Sequence, residues 1–220
     1  MQSFVFHPAA LPGSAVVFAS PHSGRDYPAD FVAASMLGRA ALRSSEVAYV
    51  DCFLRAAPAA GAGVLLGGVP RAYVDYNRAA TELDPALIAG VSLRGVNPRI
   101  SSGLGVIPRV VAGGRAIYRG KITAAEAERR LRLYWKPYHD KLAELLATTT
   151  AHHGRAILLD MHSMPRDAVS MNGQHNALRP DIVLGDRFGA SAHSVVTEAV
   201  AAVFTAAGLR VARNSPFAGA

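Results

Sequence analysis

Ala15-Val16-Val17-Phe18-Ala19, followed at once by Ser20-Pro21-His22-Ser23-Gly24-Arg25, joins an unbroken apolar run to a turn crowded with polar side chains. A short apolar run without alternation reads as a strand buried on both faces, and the proline and glycine just beyond it read as its turn. The same pattern returns at Ala156-Ile157-Leu158-Leu159-Asp160-Met161-His162 and at Asp181-Ile182-Val183-Leu184-Gly185. Residues 63–67, 71–75 and 209–213 read as further strands. Helical spacing marks residues 31–36 and 42–57, the latter stopped by Pro58 and Gly61. Thr123, with Glu126 three residues on, opens a long helix to about residue 148 that Pro137 should kink. A last helix over 191–207 closes at Gly208. Strands alternating with helices predict an α/β fold, a mainly parallel or mixed twisted sheet covered on both faces by helices. Such sheets bind ligands at the carboxyl edge of their strands.

The 220 residues, half of them apolar, suffice for one domain with a substantial core. Residues 79–122, rich in glycine and proline, are too long for an ordinary connection and read as a functional insertion with short hairpins of its own. One cysteine, Cys52, excludes an internal disulfide framework and suits a reducing compartment. No apolar stretch approaches the roughly 20 residues of a membrane-spanning helix, so a cytoplasmic protein without membrane contact is expected. The formal charge of +7 raises the question of nucleic acid. Yet the arginines are scattered, and their tightest cluster, Arg129, Arg130 and Arg132, reads as a solvated helical face without the aromatic interleaving of a stacking platform. No nucleic-acid partner is expected; a cationic cleft suits a small dianion better.

Three segments place polar side chains just past buried runs: Pro21 to Gly24, Asp75-Tyr76-Asn77-Arg78, and Asp160-Met161-His162-Ser163. Two histidines at one sheet edge together with a carboxylate could make a three-ligand zinc site that leaves a position for water. Taken singly, each histidine reads more readily as a hydrogen-bonded core or surface residue than as a ligand, since no His-x-x-x-His pair is present; the coincidence of position favours the metal. Asp160 lies on the same side of its strand as His162, where it can orient that ring or anchor the strand. Tyr134, Trp135 and Tyr138, at helical spacing, read as structural, and His139, His152, His153, His175 and His193 have no ligand spacing.

The strings SPHSGRDYP at 20–28, SEVAYVD at 45–51, PRAYVDYNRAATELDP at 70–85, GLGVIPRV at 103–110, IYRG at 117–120, LLDMHSMP at 158–165, RPDIVLGDRFG at 179–189 and RVARNSPFAGA at 210–220 resemble the N-formylglutamate amidohydrolases, in the same order and over nearly the whole chain. The resemblance implies the zinc-carboxypeptidase-like α/β fold of the wider superfamily, one amidohydrolase domain over 1–220, and hydrolysis of the formyl amide of N-formyl-L-glutamate in histidine degradation. It also implies a zinc ion held by His22 and His162. Position 25 is arginine, so the superfamily's His-x-x-Glu spacing is absent; Glu46, at the start of a helix, is the expected carboxylate ligand, with Asp51 as the alternative. Asn77-Arg78 resembles the pair that holds a substrate's terminal carboxylate, a task suited to a planar guanidinium. Pairing of Arg78 with Glu82 or Asp84 is the competing reading. Arg109 and Arg119 are further candidates for the second carboxylate.

The resembling family continues past the strand at 209–213 to a late strand with a glutamate, so its general base is expected beyond Ala220. Asp51 or Asp160 would serve as the base within the chain, and a protein ending at Ala220 is expected to be weak or inactive. Two alternatives accompany this reading: a zinc hydrolase of another N-acylated acidic amino acid, and an inactive hydrolase scaffold with a binding role.

Overall fold

The computed structural model describes residues 1–219 except 12, 93, 94, 96 and 165–178. His175, and the Pro165 and Ala220 that close two of the quoted strings, lie outside the described residues. The elements are β1 (Phe4–His7), β2 (Val16–Ser20), α1 (Ala29–Ala34), α2 (Arg39–Leu42), α3 (Val50–Phe53), β3 (Gly63–Gly67), α4 (Pro98–Ser101), α5 (Ala124–Arg130), α6 (Lys136–His153), β4 (Ile157–Asp160), β5 (Ile182–Leu184), α7 (Ser194–Ala206) and β6 (Val211–Arg213). They fall into two compact units, Met1–Ser163 and Met164–Ala220.

In the first unit four strands form a mixed sheet in the order β1-β3-β2-β4. β2 runs parallel to β3 and to β4, whereas β1, which the sequence pattern did not reveal, pairs antiparallel with β3 from Phe4 opposite Gly67 to His7 opposite Val64. Side chains alternate across the sheet. Leu65 packs on one face with Tyr73, Tyr76, Tyr138 and Leu142, while Val64 and Leu66 pack on the other with Val47, Val50 and Leu54. Both faces are therefore apolar, as the unbroken run in β3 requires. Leu65 is fully buried, and such burial contributes about 1.5–3 kcal/mol for a leucine.

Residues 71–75 are not a strand. The Tyr73 and Val74 amides donate to the Pro70 carbonyl, closing a helical turn, and the Asp75 amide donates to the Val106 carbonyl. The β-branched and aromatic composition that suggested a strand instead fills the core, where Tyr73, Val74 and Tyr76 are all buried. Nor is 42–57 one helix. Glu46 is extended at φ −69° and ψ 147°, and Tyr49 sits in the left-handed region at φ 63°, which divides the segment into short helical pieces. Between them the Val47 amide donates to the His22 carbonyl. The break thus ties this segment to the turn after β2.

The long helix opens as expected, with Thr123 Oγ1 accepting from the Glu126 amide. Its bend takes a specific form: residues Leu131–Trp135 make a π-turn directly before Lys136 and Pro137. Proline has no amide hydrogen and crowds the carbonyl four residues back, so the wider turn relieves both problems. Residues 79–122 carry a small core of their own, Leu87, Ile88, Val106 and Ile107 packed on Ala127 of α5. In the second unit β5 and β6 pair parallel, and α7 links them. Among the described residues no helix is long and apolar enough to cross a membrane.

Candidate active site

The turn after β2 is pressed into place. A Cβ added to Gly24 would lie 2.1 Å from the Val69 carbonyl oxygen, and one added to Gly67 would lie 2.2 Å from that of Pro21. Only glycine permits these approaches. Ser20 and Ser23, both buried, share a hydrogen bond of 2.6 Å between their hydroxyls, and Ser20 Oγ donates to the Met161 carbonyl. The polar ends of β2 and β4 are stitched together in this way, and His22 and His162 stand beside each other with ring centroids 5.0 Å apart.

His22 is 2% exposed and Asp75 has no exposed surface. His22 Nε2 donates to Asp75 Oδ1 at 2.7 Å. Burial lowers the His22 pKa more than Asp75 raises it, with Arg71 and His162 adding to the fall, so the ring is neutral. Burial also works against the Asp75 charge, but His22, Arg71 and Arg78 outweigh it and hold the carboxyl well below its ordinary range. Arg71 Nε donates to Asp75 Oδ2 at 3.0 Å and Arg78 Nε lies 4.0 Å from the same oxygen. A neutral histidine has one N–H and one lone pair. Its N–H is committed to Asp75, so the lone pair is on Nδ1, which is buried and has no hydrogen-bond partner among the described residues.

His162 repeats the arrangement at a more open position. Its Nε2 lies 3.0 Å from Asp160 Oδ2, and both side chains keep 32% of their surface exposed. A carboxylate oxygen only accepts, so toward Asp160 Nε2 is the donor, while Asn77 Nδ2 stands 3.3 Å from the same nitrogen. Asn77 Nδ2 also donates to Asp160 Oδ2, at 3.2 Å, and the Asn77 amide donates to Asp75 Oδ1. Two histidines, each turned by an aspartate, are the way protein chains present imidazole to a metal. Two such imidazoles side by side would suit a divalent metal, and the buried Nδ1 of His22 is the atom left without a partner among the described residues.

The structure does not assemble a third ligand. Among the described residues no group of three His, Cys, Asp or Glu side chains stands close enough to hold a metal. Glu46 accepts from the Tyr27 hydroxyl through Oε1 and from Arg43 through Oε2, and Asp51 is paired with Arg25 at 2.7 Å. Arg78 pairs with neither Glu82 nor Asp84: its Nε donates to the Leu104 carbonyl and its Nη1 to the Asn77 carbonyl. Arg109 instead takes Asp84, at 2.9 Å, and Arg119 is exposed. Of the two candidate bases within the chain, Asp160 is in the site.

The sequence profile of the N-formylglutamate amidohydrolases matches residues 14–220. The chain belongs to that family. Over 106 residues it is 35% identical to the N-formylglutamate deformylase of Pseudomonas aeruginosa, a match that covers 47% of this chain and 38% of that protein. The chain thus matches well under half the length of this curated relative. A crystal structure of N-formylglutamate amidohydrolase from Ralstonia eutropha JMP134 superposes with a TM-score of 0.92 at 32% identity, over all of this chain and 79% of that one. A gene product of Agrobacterium tumefaciens shares the fold, with a TM-score of 0.68 at 17% identity over 98% of this chain and 73% of its own. For an N-formylglutamate amidohydrolase family member, the histidine pair and the Asn77-Arg78 step were legible as motifs. The part of Asp75 was not assigned. Its signal was a carboxylate set in the apolar run Ala72-Tyr73-Val74, since a charge placed there must be paired.

Proposed function

We propose that this chain carries the metal-binding and carboxylate-binding parts of an amidohydrolase that cleaves N-formyl-L-glutamate to formate and glutamate, with zinc as the metal. The observation that carries the reading is the buried Nδ1 of a neutral His22, unpartnered among the described residues, with the ring of His162 5.0 Å away, centroid to centroid. His22 and His162 would hold the metal, with Glu46 proposed as the third ligand once its carboxylate leaves Tyr27 and Arg43. A zinc ion so held supplies Lewis acidity and a water acidified to near neutral pH.

The chain's own residues supply the rest. Arg71 and Arg78 both flank Asp75, and cationic side chains beside the two histidines suit an anionic substrate. Arg78 binds the substrate's α-carboxylate, and its side chain is held for that role by the Leu104 and Asn77 carbonyls, with Asp75 4.0 Å from its Nε. Asp160, beside His162 and partly open to solvent, is placed to accept a proton. Release of the free amino acid measured over N-formylglutamate, N-acetylglutamate and N-formylnorleucine tests the assignment. N-Formylglutamate is expected to be preferred over both; equal turnover of N-formylnorleucine would remove the dianion reading, and preference for the acetyl compound would move the chain to another acyl group.

A further inference from the structure

We infer that Trp135 and His139 are positioning residues that hold the Asn77-Arg78 step in its working geometry. The inference rests on the carboxylate-binding role proposed above for that step. Trp135 Nε1 donates to the Arg78 carbonyl at 2.8 Å, and His139 Nε2 lies 2.9 Å from the Tyr76 carbonyl. A carbonyl only accepts, so His139 is the Nε2–H tautomer, and burial lowers its pKa so that it remains neutral. The two rings stack on each other with centroids 3.9 Å apart and planes 32° from parallel. Next to them Tyr138 stacks on Tyr76 at 4.5 Å. One end of α6 therefore holds the carbonyls on both sides of Asn77 and the side chain before it.

What those contacts fix is the residue between them. With Tyr76 and Arg78 pinned, Asn77 has its amide on Asp75 and its side chain on Asp160, the two carboxylates that orient His22 and His162. Arg78 Nη1 then turns back onto the Asn77 carbonyl. The π-turn is what makes this possible. An inserted residue rotates the following helix by roughly 100° relative to an unbroken one. Arg129 and Arg130, before the turn, reach Tyr73, and Trp135 and His139, after it, reach residues 76–78. The kinked helix thus follows the site segment along its length. Trp135 is the chain's single tryptophan, so its emission reports on the peptide that carries Arg78.

The test compares wild type, His139→Leu, which removes the donor, and His139→Gln, which keeps one. Hydrogen exchange is followed in peptides spanning 76–79, zinc per chain is measured, and glutarate, a dianion without the scissile amide, is titrated against tryptophan emission. Loss of one hydrogen bond with its acceptor left behind predicts exchange about tenfold faster in His139→Leu and glutarate bound about three- to tenfold more weakly, with metal content unchanged. His139→Gln should recover most of both. Unaltered exchange in His139→Leu, no recovery in His139→Gln, or a loss of metal that tracks the loss of affinity would each overturn the inference. If wild type binds neither glutarate nor N-formylglutamate, the carboxylate-binding assignment fails, whereas the exchange comparison still decides whether His139 holds the segment.

Discussion

A carboxylate with no exposed surface survives only among partners that keep it charged, and Asp75 has four: His22, Arg71, Arg78 and the Asn77 amide. Its replacement by asparagine keeps the shape but offers Arg71 and His22 a neutral oxygen, so the imidazole is less firmly held as the Nε2–H tautomer. Asp75→Asn is expected to weaken metal binding by about 10- to 100-fold, read by competition with a chromogenic chelator. Arg78→Lys keeps the charge and loses the two-pronged fork. It should lower kcat/KM for N-formylglutamate much more than for its α-amide, and an equal loss on both would remove the clamp role. His22, Asn77, Arg78 and His162 were legible because polar residues directly after apolar runs stand out in a sequence. The pairing of Asp75 with His22 was not, because the two lie 53 positions apart and only the tertiary structure brings them together. The Glu46 carboxylate, expected among the ligands, is instead held by Tyr27, and burial first and this hydrogen bond next push the Tyr27 hydroxyl's pKa far upward.

The strands β2 and β3 could be read directly because burial on both faces leaves an apolar run with no other explanation, and β4 carries a similar run although Leu158 is 39% exposed. Short β1 alternates half-buried with exposed residues at the sheet edge, a weaker signal. The same composition misled at 71–75, where core-filling side chains sit on a turn. Close packing at the turn after β2 leads to a sharp expectation: Gly24→Ala must move backbone at Val69 or at His22. It should lower the melting temperature and the metal content together, whereas the same change at Gly120, which has open space around it, should alter neither. At the start of α5, Glu126 is bound by Arg129 and Arg130. Burial tends to raise its pKa, but the two guanidiniums prevail and lower it from 4.5. A depressed carboxyl pKa stabilises the fold above the unfolded value and loses that contribution as pH falls through the folded one. The stability difference between wild type and Glu126→Gln should therefore be full at neutral pH and shrink on acidification below about pH 4.5, as followed by urea denaturation. A gap that is constant with pH would show that Glu126 acts by packing alone.

Across the molecule, a share of the positive charge that might have suggested nucleic acid is met by local pairs. Arg25, Arg43, Arg71, Arg109, Arg129, Arg130, Lys136, Lys141 and Arg210 each meet a carboxylate within 4.0 Å. Arg130, expected on a solvated face, is 4% exposed and lies 4.1 Å over the Tyr73 ring, because the guanidinium plane stacks on aromatic faces as no ammonium can. At Asp75 two guanidiniums, Arg71 and Arg78, face one carboxylate beside the two histidines and Asp160. That arrangement, within a fold shared with N-formylglutamate amidohydrolase, makes metal content the decisive quantity. Elemental analysis of folded wild type, His22→Ala and His162→Ala should give about one zinc per chain for wild type and strongly reduced occupancy in both variants. Full metal occupancy in both variants, or no metal uptake by wild type supplied with zinc, would contradict the site.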